Sequence, residues 1–144
     1  MRSLLSLTMG ACIGFGIGAV LCWLMVGLIR SGRFRPNWWL GINSDAVKHS
    51  EETWTLAHLA AEPWVRMAAV AATAASLLTG VSLALGAEAQ PGLWFGLAGL
   101  VVGGIGVVTG AGRAFIVGNR AAVQLLRERR AKRRPRGSRA PRRA

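Results

Sequence analysis

The side chains around position 58 are the candidates for chemistry in this sequence. His58 and Glu62 stand one helical turn apart, and Glu51 lies two turns before His58, so a helix would place all three on one face. One His with two carboxylates lacks the His/Cys cluster that a persuasive zinc site contains. We therefore expect His58 to lie at the membrane interface, bonded to a headgroup or to backbone, with no metal and no other cofactor.

Groupings typical of catalysis are also missing from the rest of the chain. We find no Ser/His/Asp order, Cys/His pair, phosphate-binding loop or pair of acids. Cys12 and Cys22 lie in one apolar run at positions that face different sides of a helix, which predicts buried, unpaired thiols. We predict a protein that is not an enzyme.

Three apolar runs must position these residues, and each is long enough to cross a membrane. About 20 apolar residues span the hydrocarbon core, and 52% of the 144 residues are hydrophobic. The predicted spans are residues 4–29, 64–85 and 93–113. The first run exceeds the usual apolar region of a signal peptide, so we expect it to be retained. The sequence thus predicts an all-α integral membrane protein with a three-helix domain over residues 1–118.

The basic residues predict how the chain is oriented, because short loops rich in Lys and Arg stay in the cytoplasm. The inner loop, 30–63, contains Arg30, Arg33, Arg35 and Lys48, whereas the second loop, 86–92, contains one acid and no base. Eleven further bases follow position 118. We therefore predict that the N-terminus lies outside and that the inner loop and the C-terminus lie in the cytoplasm.

Small residues recur at intervals of four in every span, which in membranes favours close helix packing. The first two spans contain Gly10, Gly14 and Gly18, and Ala68, Ala72, Ser76, Gly80 and Ala84. The third span contains three such groups: Gly92 with Gly96; Gly99 with Gly103; and Gly106, Gly110, Ala114 and Gly118. They leave two interpretations open. We expect packing within one chain to use most of these faces, and the same stripes also suit an oligomer.

Tryptophan and arginine mark the borders of the predicted spans. Amphipathic rings prefer the membrane interface, and long basic side chains reach towards it. The residues to which we assign this position are Trp38, Trp39, Trp64, Arg66, Trp94 and Arg113. Pro63 suits the first turn of the second span, where its missing N–H costs nothing.

The second half of the inner loop contains the signal of a short interfacial helix. Ser50 is a suitable N-cap, and Glu51 and Glu52 favour the positive end of a helix. Trp54 and His58 then lie one turn apart on the same face. We expect these two residues, with Gly41 allowing a sharp turn, to form the functional surface of the loop.

At these positions the chain resembles the SdpI/YfhL family. The family pattern is approximately G-I-R-T-P, a short spacer and S-x-E-x-W, followed by Ala or Thr with His or Asn. The matching residues here are Asn37, Gly41, Ile42, Ser50, Glu52, Trp54, Ala57 and His58. Asn43 stands where the family has Arg, and Ser44-Asp45 replaces Thr-Pro. The match covers the first two helices and the loop, and extends to the third helix by architecture alone.

This resemblance implies a multi-pass protein of the bacterial inner membrane in the toxin-immunity class. Its best-described members protect a cell from a secreted killing peptide, and some hold a transcriptional repressor at the membrane. It implies a peptide toxin and a cytoplasmic repressor as partners, with signal transduction as a possible role. Two other classes remain open, a holin-like protein that permeabilises the membrane and an accessory subunit of a larger membrane complex.

Residues 119–144 form a basic tail that we predict to be mostly disordered after a helical start at 121–133. Pro135, Gly137 and Pro141 oppose regular structure, and the tail has no aromatic residue. A basic cluster beside a span fixes orientation and attracts anionic lipid headgroups. We do not expect nucleic-acid binding, because side chains that stack on bases are missing.

Overall fold

The computed structural model describes residues 2–37 and 40–133. Regular structure in these residues is entirely helical, with α1 at Arg2–Arg30, α2 at Asp45–Lys48, α3 at Glu51–Ala84 and α4 at Gln90–Arg133. The helices α1, α3 and α4 are each long and apolar enough to cross a membrane. This confirms the prediction of an all-α chain with three candidate spans. Trp38, Trp39 and residues 134–144, the part of the tail that we predicted to be disordered, lie outside the described residues.

The predicted interfacial helix and the second span are one helix, α3, so the prediction of two separate helices was wrong. Ser50 caps α3, but the helix then continues through Pro63 instead of starting there. Proline removes one backbone donor, and packing of the flanking turns maintains the helix around it. The inner loop is therefore shorter than the predicted 30–63, and the short helix within it is α2, capped by Ser44.

The third helix is also longer than predicted. The helix α4 begins at Gln90 and runs without interruption through position 119, where we placed the start of the tail, to Arg133. Its second half packs on the start of α3. A Cβ on Gly118 would lie 2.8 Å from the Ala57 carbonyl oxygen, and Glu52 forms an ion pair with Arg129. These contacts stabilise a helical extension that the local sequence predicts only as a helical start.

The central helix is α3, which packs against both α1 and α4, while α1 and α4 barely touch. Glycines of α4 allow its close approach to α3. A Cβ on Gly99 would lie 2.8 Å from the Thr79 methyl group, and one on Gly110 would lie 2.9 Å from the Trp64 carbonyl oxygen. The small-residue stripe of α4 therefore serves packing within the chain, as predicted.

The glycine stripe of α1 is an exception to the expectation that packing within one chain uses most of these faces. No atom lies within 4 Å of a Cβ built on Gly10, Gly14 or Gly18. These glycines instead line an open apolar cavity of about 590 Å³ whose opposite wall includes Leu100 and Val107 of α4. The contacts of α1 with α3 use other positions, such as Gly16 against Ser76.

Helix length defines a part of the molecule that we call the loop end. At 1.5 Å per residue, the 34 residues of α3 extend for about 50 Å, whereas the hydrocarbon core is about 30 Å thick. A span that starts at Trp64, as predicted, would leave the first turns of α3 beyond the core. The loop end comprises these turns, residues 51–63, together with the loop 31–50 and the last part of α4, residues 114–133.

Candidate functional site

A reciprocal cap at the start of α3 fixes the face on which Trp54 and His58 lie. The Ser50 hydroxyl accepts from the Thr53 backbone N–H at 3.2 Å, and the Thr53 hydroxyl accepts from the Ser50 N–H at 2.9 Å. Ser50, Glu51 and Glu52 thus occupy the predicted cap and first turn. Sequence reasoning missed Thr53, which in addition donates from its hydroxyl to the Val47 carbonyl and so ties α2 to α3.

Three aromatic rings pack together in the core of the loop end. Trp54 and His58 lie one turn apart with ring centres separated by 4.2 Å, and Phe34 contacts both, at 5.5 Å from Trp54 and 4.8 Å from His58. Trp54 is 0% exposed and His58 is 1% exposed. The sequence prediction that the two residues share a face is confirmed, and the prediction that they form a surface is wrong, because the loop covers them.

Every polar atom of these rings has a backbone partner. Trp54 Nε1 donates to the carbonyl of Phe34 at 3.0 Å, and the backbone N–H of Ile42 donates to His58 Nε2 at 3.0 Å. His58 Nδ1 lies 2.8 Å from the Trp54 carbonyl oxygen. Because Nε2 accepts, Nδ1 must carry the proton, so His58 is neutral in this arrangement. Of the two kinds of partner expected for His58, a headgroup or backbone, the structure shows backbone.

Burial also changes the pKa of His58. This residue lies before the apolar segment that starts at Trp64. Removal from water lowers the pKa of His58, and the hydrogen bond to the Trp54 carbonyl opposes this effect. A second proton would sit on Nε2 and face the N–H of Ile42. The neutral imidazole is therefore the form that this packing selects.

Gly41 provides the turn that brings the loop onto His58. Its φ of +102° lies where side chains are strained, and a Cβ there would lie 2.5 Å from His58 Nε2. The predicted sharp turn at Gly41 is confirmed, and it has a specific purpose: glycine lets the backbone approach the imidazole closely. Phe34, which also borders this space, was missed because a lone Phe beside three arginines gives no signal in sequence.

The loop is fastened to α4 as well as to α3. Ser44 Oγ donates to Asn119 Oδ1 at 2.7 Å. Ile42 is 5% exposed and packs where the side chain of residue 118 would be, so Gly118 is needed to admit it. Neither Asn119 nor Gly118 was singled out as a loop contact, because their partners lie more than 70 residues away in sequence.

The remaining residues of the predicted motif lie around this cluster. Asn37 Oδ1 accepts from the Leu40 N–H at 2.7 Å, which makes a local turn, and Asn43 is exposed next to buried Ile42. The carboxylates near His58 bind arginines: Glu62 pairs with Arg30 at 2.9 Å, and Glu52 pairs with Arg129. These two ion pairs join the end of α1 and the end of α4 to the start of α3.

The predicted interfacial residues that the structure describes take distinct positions. The Arg113 guanidinium lies 5.4 Å from the ring centre of Trp64, within the range of a cation–π interaction. Arg66 is exposed, and Trp94, at the far end of the bundle, is 65% exposed. Sequence reasoning missed Trp23, whose Nε1 donates to Thr73 Oγ1 at 3.2 Å between α1 and α3.

The contacts of Gly41, Trp54 and His58 hold the loop against α3. We call the cluster that makes them the loop lock; it consists of the rings of Phe34, Trp54 and His58 with the backbone of Gly41 and Ile42. Its polar atoms are buried and paired with backbone, so they hold the loop in place rather than meet a solute. No protein-family model, curated protein or solved structure matches this chain. The resemblance to the SdpI/YfhL family therefore stays a prediction.

Proposed function

We propose that this chain is a non-catalytic, SdpI-like protein of the bacterial inner membrane that confers immunity to, or senses, a secreted antibacterial peptide. In this proposal the N-terminus lies outside and the loop end lies in the cytoplasm. The basic residues support this orientation: Arg33, Arg35 and Lys48 lie at the loop end and Arg30 ends α1 beside it, whereas Glu88 lies in the opposite connection.

The observation that carries the proposal is the convergence of the family-like residues. Gly41 and His58 lie 17 positions apart in sequence, yet the imidazole occupies the space beside the Gly41 backbone, and Ile42 donates to it. Trp54 completes the same cluster. Residues that carry a resemblance by type and spacing thus have one shared physical task in this chain, which supports reading them as a motif.

Because the lock is buried, other residues of the loop must make the contact with a partner. Trp54 and His58 act as positioning residues, because they are covered by the loop that they hold. The exposed side chains of the locked loop include those of Arg33, Arg35, Asn43, Asp45, Lys48 and His49. We propose that a cytoplasmic partner, such as a repressor, contacts this outer face, where Asn43 takes the place of the family's Arg.

A survival assay tests the proposal. Cells that express the protein are exposed to the secreted peptides of a producer strain that carries its gene, and Trp54→Ala and His58→Ala are compared with the wild type at matched protein levels. Trp94→Ala is the control, since Trp94 is exposed at the far end of the bundle. We expect wild type and Trp94→Ala to protect, and the two lock variants to fail. Full protection by both lock variants, or none by the wild type, rejects the proposal.

One observation favours a second candidate, an accessory subunit of a larger membrane complex or a holin-like assembly. Among the described residues, no atom lies within 4 Å of a Cβ built on Gly10, Gly14 or Gly18, and such stripes support contacts between helices. Expression distinguishes a holin-like protein from an immunity protein, because the first depolarises or lyses its host, whereas the second is tolerated. Co-purification with a larger membrane protein supports the subunit.

A further inference from the structure

One side of α4 presents a row of arginines. Arg113, Arg120 and Arg127 follow one another at intervals of seven residues, and all three are exposed. Seven residues are nearly two full turns, so consecutive members are offset by only about 20° around the helix. A rise of 1.5 Å per residue places them about 10 Å apart along its axis. We call these three residues the arginine row.

The chain's own carboxylates do not neutralise this row. Within the described part of the chain, Arg120 and Arg127 make no hydrogen bond or ion pair, whereas nearby Arg129 is held by Glu52. Arg113 stacks on Trp64, which leaves its charge in place. The row is thus a straight series of positive charges with room for an acidic partner.

Membrane lipids reach only one end of the row. With the apolar run 93–112 in the hydrocarbon core, Arg113 lies at its edge, and Arg127 lies about 20 Å farther along the helix. A headgroup layer is roughly 5–8 Å thick, and screening at physiological salt acts within about 8 Å. Because α4 is held against α3, it carries Arg127 beyond the range at which headgroups attract it strongly.

We infer that the arginine row docks an acidic helix of a soluble protein. Carboxylates at heptad spacing on a helix recur at the same interval of about 10 Å, so a helix lying along α4 would meet each arginine with one Asp or Glu. Single-stranded nucleic acid suits the surface less well, since no aromatic residue follows Phe115 to stack on bases. The inference rests on the proposed cytoplasmic position of the loop end and does not require a toxin.

A binding measurement in nanodiscs tests this inference without depending on orientation or on immunity, because both faces of the disc are accessible. The full-length protein is placed in phosphatidylcholine, and fluorescence anisotropy follows a labelled helical peptide with Glu at every seventh position. A second peptide has the same composition and net charge but irregular Glu spacing. The protein variants are Arg120→Gln and Arg127→Gln. The control is Lys132→Gln, which removes the same charge from an exposed position about 140° around α4 from Arg127.

We expect Arg120→Gln and Arg127→Gln each to weaken binding of the heptad peptide by about fivefold, and Lys132→Gln by less than about twofold. The irregular peptide should bind more weakly than the heptad peptide. Equal binding of the two peptides, or an equal loss in all three variants, overturns the inference in favour of diffuse charge attraction. Tighter binding of oligothymidylate or of phosphatidylglycerol vesicles than of the heptad peptide overturns it in favour of nucleic acid or lipid.

Discussion

The backbone N–H of Ile42 donates a hydrogen bond to Nε2 of His58 at 3.0 Å, across 16 residues of sequence and in the buried core of the loop end. A buried N–H that loses its partner costs about 1–3 kcal/mol. The position of the loop and the neutral state of His58 are therefore coupled, since the bond requires both.

Replacing His58 with Ala should destabilise the loop end by about 2–4 kcal/mol. The substitution removes a buried ring that packs on Trp54 and Phe34 and leaves the N–H of Ile42 without an acceptor. Denaturant titration of the purified protein in detergent micelles measures the free energy of unfolding. Exposed His49→Ala is the matched control and should change it by less than about 0.5 kcal/mol. Equal effects of the two substitutions would count against the lock.

Gly41→Ala should cost about 1–3 kcal/mol of unfolding free energy, because the backbone has a φ of +102° and the added methyl group meets the imidazole of His58. Gly112→Ala is the control, since nothing lies within 4 Å of its Cβ position and its φ is not in the positive range. The same titration should show no loss for Gly112→Ala. A Gly41→Ala protein as stable as the wild type would contradict the proposed contact.

The protonation state of His58 gives a pH prediction. Burial lowers its pKa below the usual value of about 6.5. As the pH falls from about 6.5 towards the lowered pKa, the unfolded chain takes up a proton before the folded chain does, so stability should fall across that window. Nitrogen-15 NMR of labelled histidine should show a neutral ring with the proton on Nδ1 at pH 7, and His49→Gln assigns the signals. A proton on Nε2, or a charged ring at pH 7, would contradict the structure.

Ser82 and Thr79 provide a test of packing between α3 and α4. Both are buried, but Thr79 donates to the Ala75 carbonyl at 2.8 Å, whereas the Ser82 hydroxyl has no hydrogen-bond partner among the described residues. Removing an unpaired buried hydroxyl should be neutral or stabilising, so we expect Ser82→Ala to raise or leave unchanged the melting temperature. Thr79→Ala, which also loses the methyl group that contacts Gly99, should lower it. The reverse order would show that the Ser82 hydroxyl is needed.

The orientation has its own prediction. Lys48 is exposed at the loop end, so in a variant without other cysteines Lys48→Cys should resist a membrane-impermeant thiol reagent added to intact cells and react after lysis. Labelling of intact cells from outside would place the loop on the wrong side of the membrane for the proposed function and for a cytoplasmic partner of the arginine row.

The three spans, the Ser50 cap and the shared face of Trp54 and His58 were predictable because each depends on local sequence. An apolar run must be about 20 residues long to cross lipid, and a cap is defined by a few neighbouring residues. These signals also placed the loop between the first two spans. They place α1, α3 and α4 approximately and put Trp54 and His58 on one face of α3, but they do not predict α2.

The lengths of α3 and α4 and the burial of the lock were not predictable in the same way. Pro63 resembles a helix start, but α3 continues through it, and its first turns form ion pairs with both α1 and α4. Tryptophan suits both a membrane interface and a protein core, so its type alone did not distinguish the exposed Trp94 from the buried Trp54. Helix length and ring burial depend on contacts between residues far apart in sequence, such as Ile42 with Gly118.

The most direct test of the lock is thiol accessibility at two neighbouring positions of α2, Val47, which is 0% exposed, and Lys48, which is exposed. In a background with Cys12 and Cys22 replaced by Ala, Val47→Cys and Lys48→Cys are each combined with the native His58 and with His58→Ala. We predict that Lys48→Cys reacts rapidly in both proteins, whereas Val47→Cys is protected with His58 and reactive without it. Equal reactivity of Val47→Cys and Lys48→Cys in the protein with native His58 would contradict the lock.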